Sequence, residues 1–169
     1  PQGIGALFIR DGITLEPLHH GAGHEQGRRA GTEPVPALVG LGEAAELARQ
    51  YINDPKIKTL RDRLHEGLKR ELGNQVAFLG HPEQRLPNTL AVGFRGHIGS
   101  DILAACPQLC ASTGAACHSG DRKLSGTLAA MQVPEEIAFG AIRFSTGRFT
   151  TESEIDEAIG MIVSAVEAG

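Results

Sequence analysis

Apolar positions along this chain change their period several times, and each change marks an element. Ile4, Ala6, Leu7, Phe8 and Ile9 form a short apolar run, so residues 4–10 read as a strand. A polar, glycine-rich stretch over residues 18–31 reads as a loop. Thr32 followed by Pro34 and Pro36 marks a helix start, with a hydroxyl placed to cap and prolines in the first turn. Leu38, Leu41, Ala45 and Ala48 then recur at helical spacing on one face. Asn53-Asp54-Pro55 breaks that helix and is the candidate boundary between residues 1–54 and 55–169.

The next helix spans residues 56–72, with Ile57, Leu60, Leu64, Leu68 and Leu72 on one stripe and Gly73 at its C-terminal cap. Lys58, Arg61, Asp62, Arg63, Glu66, Lys69 and Arg70 fill the other side and read as a solvated face. The period then drops to two. Residues 76–79 read as one strand, and Leu90, Val92 and Phe94 alternate cleanly in a second. Ser100 is placed to cap a short helix that Pro107 ends. Residues 109–112 suit a third strand and residues 141–145 a fourth. Thr151-Glu152-Ser153-Glu154 is a capping box, and it opens a helix with Ile155, Ile159, Ile162 and Val166 on one face. Long helices with short strands between them give an α+β expectation. There is no internal repeat and no low-complexity segment.

Composition narrows the function classes. The 169 residues, 41% hydrophobic and 21% charged, suit one globular domain, or one domain with a docked extension. Sixteen basic against twenty acidic residues give a net charge of −4. There is no basic cluster, which argues against a nucleic-acid or membrane partner. No apolar run is long enough to span a bilayer. The opening Pro1-Gln2-Gly3-Ile4-Gly5 lacks Met and any signal-peptide pattern, so it is not expected to be a natural translation start. Three cysteines, an odd number, read as cytoplasmic thiols rather than a disulfide framework. Glycine and proline gather over residues 3–42 and 93–126, where tight turns either shape a site or form ordinary loops.

Three segments carry candidate chemistry. Cys117 lies among Gly114, Ala115, Ala116, His118, Ser119 and Gly120, which leave a thiol little apolar cover. It is either a reactive thiol or an inert one. Cys106 and Cys110, beside Leu103, Leu109 and alanines, read as buried structural cysteines. With His118 these cysteines match no zinc spacing, and His24-Glu25 is followed at the fourth position by Arg28 rather than His, so no metal is expected. Residues 19–32 combine glycine-freed N–H groups, Arg28, Arg29 and Thr32, the parts of an anion or phosphate site; the plain alternative is a surface loop. Arg143 sits inside the apolar run 141–145, so it is either paired internally or aimed into a cleft to fork onto a carboxylate.

Taken in order, these segments resemble the C-terminal part of the class V aminotransferase-like, pyridoxal-phosphate-dependent cysteine desulfurases of the NifS group, and the related selenocysteine lyases. The likeness is carried by residues 3–10 and 21–34, by Arg85-Leu86-Pro87-Asn88-Thr89, and by residues 112–119 and 142–154. It implies the small C-terminal domain of a fold-type I enzyme, a short mixed or antiparallel sheet packed by helices. Residues 1–54 would be the last strand and linking helix of the large domain. It implies pyridoxal phosphate as cofactor, a homodimer, an amino-acid substrate and a sulfur- or selenium-accepting protein. Cys117 matches the cysteine that takes the sulfur as a persulfide, and Arg143 the arginine that holds the substrate carboxylate. Asn88 matches a small-domain asparagine near the site. Thr32 matches the threonine that contacts the cofactor phosphate of the neighbouring subunit.

The family's cofactor lysine precedes the stretch that matches Pro1, and Lys56, Lys58, Lys69 and Lys123 sit in no matching motif. The chain alone is therefore expected to be inactive and to hold no cofactor covalently. Gly21-Ala22-Gly23 and Gln26 depart from the family's three glycines and arginine. Cys117-His118 is closer to the selenocysteine lyases. The loop around Cys117 is expected to move. Two other classes stay open: a non-catalytic module completing a partner's site, and a cofactor-free thiol protein.

Overall fold

The computed structural model describes residues 2–52, 54–113 and 124–169. The chain divides into two units, Pro1–Asn53 and Asp54–Gly169.

The first unit holds one long helix, α1 (Val35–Tyr51), preceded by loops and a short 3-10 turn at His24–Gly27. The expected strand over residues 4–10 is absent. A strand needs a neighbour for its N–H and C=O groups, and this unit supplies none among its described residues. Leu7 and Phe8 are 75% and 88% exposed there. Helix α1 starts later than the sequence suggested. Pro34 is its N-cap, with φ −79° and ψ 75°, no side chain caps it, and Thr32 lies outside it. No residue of α1 is buried.

The second unit runs α2 (Pro55–Leu72), β1 (Val76–Phe78), β2 (Thr89–Phe94), α3 (Gly99–Ala105), α4 (Gly126–Ala130), α5 (Glu135–Ala138), β3 (Ala141–Ser145) and α6 (Glu152–Ala168). Asp54 caps α2 by accepting from the Lys56 N–H at 2.9 Å, and Gly73 ends it at φ 54°. The strands form one antiparallel sheet in the order β1-β2-β3. Its inner face, Leu90, Val92, Phe94, Ile142 and Phe144, is buried against Leu60, Leu64, Leu68 and Leu72 of α2 and Ile155, Ile159, Ile162 and Val166 of α6. Each such side chain contributes roughly 1.5–3 kcal/mol through area removed from water, so this layer holds the unit together. A smaller cluster of Leu79, Ile137 and Ala141 covers part of the sheet's other face. The α+β expectation is met by a three-stranded antiparallel sheet under helices.

Three local expectations change. Residues 109–112 form no strand; they contribute one bridge, Ser112 to Arg143, because the chain is still turning where Leu109 N–H bonds the Cys106 carbonyl at 2.9 Å. Ser100 is not a cap: α3 begins after Ile98, and the Ser100 hydroxyl turns to the Asp101 carboxylate at 3.4 Å. Arg61 is buried rather than solvated. Its guanidinium donates to Asp62 Oδ1 at 2.6 and 2.9 Å and to the Leu86 carbonyl at 3.1 Å, so its charge enters with acceptors in place. Arg85 stacks over the Phe78 ring at 4.5 Å, and His65 tilts against the same ring with centroids 5.3 Å apart. On the outer side, Arg63 of α2 forks onto Asp156 at 2.7 and 2.8 Å and reaches Glu152 at 3.3 Å, beside the Thr151–Glu154 capping box. No helix among the described residues is long and apolar enough to cross a membrane.

Two glycines separate kinds of crowding. A Cβ on Gly67 would meet only the side chain of Ile159, which can rotate, whereas a Cβ on Gly140 would meet the backbone of Phe94, which cannot. Gly67→Ala also gains up to about 1 kcal/mol of helix propensity. We expect Gly67→Ala to change stability by less than about 1 kcal/mol and Gly140→Ala to lower it by roughly 2–3 kcal/mol. Urea midpoints of the two variants check this; equal midpoints would contradict it.

His65 supplies a pH dependence. Burial first, then the charges of Arg85 and Lys69, hold its imidazole below its ordinary value. The unfolded chain therefore binds the proton more readily, and stability is lost as pH falls through the ordinary histidine value of about 6.5. Replacing His65 with Gln should flatten that part of the stability–pH curve, measured by denaturant unfolding at pH 7.5 and 5.5.

Candidate functional site

Strand alternation decides where Arg143 goes. On β3, Ile142 and Phe144 face the core, so Arg143 and Ser145 face the other way. Their cross-strand neighbours on β2 are Ala91 and Thr89. Arg143 is exposed and forms no ion pair among the described residues. The internal ion pair that the sequence left open is therefore absent among the described residues.

The backbone of Arg143 is held from both sides. Ala91 pairs with it in the sheet, and Ser112 bridges it from the other edge: Ser112 N–H donates to the Arg143 carbonyl at 3.1 Å, and Arg143 N–H returns a bond of 2.6 Å. Ser112 opens the stem of the segment that carries Cys117. Cys117 itself, and the expectation that its loop moves, lie outside the described residues.

Asn88 stands just before β2 and is half-buried. Its Oδ1 accepts from the Thr89 hydroxyl at 3.1 Å, and its carbonyl accepts from the Thr146 N–H at 2.9 Å. The register, Thr89 opposite Ser145 and Ala91 opposite Arg143, sets Asn88 beside Thr146, while Arg143 lies in the middle of β3. Both residues thus lie along one β2–β3 ladder, with no bond between their side chains among the described residues. Arg148, a few residues on, stacks its guanidinium on Phe149 at 4.4 Å.

Thr32 belongs to the first unit and is exposed at the end of a tightly folded loop. The Ala30 N–H bonds the His19 carbonyl at 3.2 Å, and the Gly31 N–H bonds His24 Nδ1 at 3.2 Å. Glu25 and Gln26 take left-handed angles, φ 49° and 60°, which non-glycine residues adopt at some strain. His24, which begins no metal motif, has a structural part in this loop. Its acceptor nitrogen clasps the loop just before Thr32. The signal was a histidine between glycines, several residues ahead of the Gly31 N–H that needs an acceptor. The Arg29 guanidinium lies over Gly31, 3.7 Å from where a Cβ would be. A hydroxyl, a guanidinium and a glycine backbone in one small loop suit a phosphate ester. Among the described residues no group of three or more His, Cys, Asp or Glu side chains gathers as a metal site would need.

Residues 1–158 match the family model for aminotransferase class-V. Among known proteins, cysteine desulfurase 2 of Trichormus variabilis is 47% identical over 99% of this chain, and the chain spans 42% of that relative's length. The cysteine desulfurase IscS of Histophilus somni is 42% identical, with the same 99% and 42% coverage. Among solved structures, a NifS-like protein aligns at TM-score 0.82 with 32% identity, over 96% of this chain and 42% of its own. A NifS-like protein from Rickettsia africae aligns at 0.78 with 29% identity, over 92% of this chain and 41% of its own. The chain thus spans about two-fifths of the proteins it matches.

The remaining thiols differ from expectation in one case. Cys106 is buried, its Sγ donates to the Met161 carbonyl at 3.5 Å, and burial pushes its thiol up. Cys110, expected to be buried as well, is exposed. Past Cys106 the chain runs over the surface to the Ser112 bridge, with Leu109 and Ala111 partly buried against the core. In a Cys117→Ser background, we expect iodoacetamide at neutral pH to label Cys110 within minutes and Cys106 only after denaturation. Peptide mass spectrometry reads both sites; native labelling of Cys106 would contradict the burial assigned to it.

Proposed function

The chain belongs to the class V aminotransferase family, and from that premise we propose that it is the C-terminal part of a pyridoxal-phosphate-dependent cysteine desulfurase. In this reading residues 1–54 end the large cofactor-binding domain and lead out of it, and residues 55–169 are the small domain. The working enzyme is a cytoplasmic homodimer. The observation that supports it most is Arg143: exposed, on the sheet face away from the α2–α6 layer, with Ser112, just ahead of the Cys117 segment, bonded along its backbone.

The roles follow from the side chains. Arg143 binds the substrate carboxylate through a charged, two-pronged hydrogen bond, and Asn88, by its match to the family's motif, helps orient the amino acid. Thr32, with Arg29 and the Gly31 backbone beside it, binds the cofactor phosphate of the neighbouring subunit. Pyridoxal phosphate, when bound, supplies the electron sink of the reaction. The Cys117 thiolate attacks the substrate sulfur. A sulfur–sulfur bond forms and the carbon–sulfur bond breaks, with its electron pair left on carbon. That carbon takes a proton and leaves as the methyl group of alanine. The sulfur stays on Cys117 as a persulfide until an acceptor protein removes it. Cys117-His118 also suits selenocysteine as substrate, since this pair is what resembles the selenocysteine lyases.

The lysines at positions 56, 58 and 69 lie on α2, and none matches the motif that holds the cofactor. We therefore expect the 169-residue chain alone to release no alanine from cysteine, and activity to appear when the N-terminal part of the enzyme is present. In the full-length enzyme, Arg143→Ala should raise KM for cysteine by roughly 30- to 150-fold, the loss expected for about 2–3 kcal/mol of charged hydrogen bonding. Cys117→Ser should abolish persulfide formation. Alanine release and persulfide trapping measure both; a Cys117→Ser enzyme with normal turnover would end this reading.

A further inference from the structure

Among the described residues, Thr146 is buried with only 6% of its surface exposed, and it is polar. Its position explains why a hydroxyl is kept there. The Thr146 hydroxyl lies 3.1 Å from the Ile57 carbonyl in the first turn of α2 and 3.4 Å from the Asn88 carbonyl. Its own N–H donates to that Asn88 carbonyl at 2.9 Å. One residue at the end of β3 thus ties together the start of α2, the segment before β2 and the strand that carries Arg143. The next turn is pinned as well, since the Gly147 N–H donates to the Thr150 hydroxyl at 3.0 Å. An apolar side chain of the same shape would fill the space and leave the Ile57 carbonyl without its side-chain partner.

We propose that Thr146 is a positioning residue that sets the separation of Asn88 from Arg143. It touches no substrate. It acts by holding the Asn88 backbone against the end of β3, so that the two substrate-facing side chains present one geometry rather than several. The inference rests on the reading above, in which Arg143 and Asn88 receive the amino acid. It goes beyond that reading by assigning the site's spacing to a buried hydroxyl in the neighbouring layer.

The test uses the full-length holoenzyme with Thr146→Val, which removes the hydroxyl and keeps the shape, and Thr146→Ser, which restores it. Thr146→Val should raise KM for cysteine roughly fivefold to tenfold, the loss expected of one net hydrogen bond, with kcat changed less than about twofold. Amide hydrogen exchange over residues 86–90 should rise in the same variant. Thr146→Ser should return both readouts to near wild type. A Thr146→Val enzyme that unfolds at lower temperature but keeps its KM and its exchange would make the hydroxyl merely structural and overturn the inference. If Arg143→Ala leaves KM unchanged while Thr146→Val still loosens residues 86–90, the substrate assignment fails instead.

Discussion

Packing of one sheet face under α2 and α6 is the constraint from which the rest of the second unit follows. Leu90, Val92, Phe94, Ile142 and Phe144 must leave water together, and a leucine row from α2 and an isoleucine row from α6 supply the cover. Side chains in a strand alternate, so committing Ile142 and Phe144 to that layer sends Arg143 to the opposite face. A slip of one residue in the β2–β3 register would bury a guanidinium and expose a phenylalanine. The position of the proposed carboxylate clamp is therefore fixed by hydrophobic burial on the other side of the same strand.

The second layer of control is steric. Gly93, Gly99 and Gly140 each sit where a Cβ would strike backbone: of Ile137, Ala141 and Phe94 respectively. Through these gaps the Phe94 N–H reaches the Gly140 carbonyl at 3.1 Å and the Gly99 N–H reaches the Phe139 carbonyl at 2.9 Å. Main chain approaches main chain here with no side chain between. Such contacts do not drift by rotamer changes, so backbone packing braces the end of the sheet opposite Asn88, alongside the cluster of Leu79, Ile137 and Ala141.

What the sequence made legible was what local pattern dictates. The stripe on α2, the alternation in β2, the capping box at Thr151 and the stop at Gly73 each follow from a few consecutive residues. What it hid depended on partners far along the chain. Arg61 looks solvated on a helical wheel; it is buried because the Leu86 carbonyl, 25 residues on, and Asp62 accept its protons. Residues 4–10 have strand composition but no neighbour in their own unit to pair with. Leu109 to Ser112 has the right residue types, yet the turn after Cys106 leaves room for a single bridge. Thr32 and Arg143 stand out from their local sequence and Asn88 from its motif; geometry adds that Arg143 faces outward and that Thr146 holds the Asn88 carbonyl. Cys110 has apolar neighbours in sequence, yet the chain there crosses the surface and leaves it exposed.

The first turn of α6 has an implication for how this unit comes apart in acid. Backbone and side-chain bonds from Thr151 hold the Glu154 carboxyl below its ordinary value, and the bond from Arg63 does the same for Asp156. Whatever stability these two carboxylates lend is present above the ordinary carboxylate range near pH 4 and drains away as protons arrive below it. The aliphatic layer beneath has no titratable group to lose. A pH below that range should therefore loosen the start of α6, where both carboxylates sit. Acid thus acts on this unit in two stages, first on His65 against the Phe78 ring and then, at lower pH, on the carboxylates that begin α6.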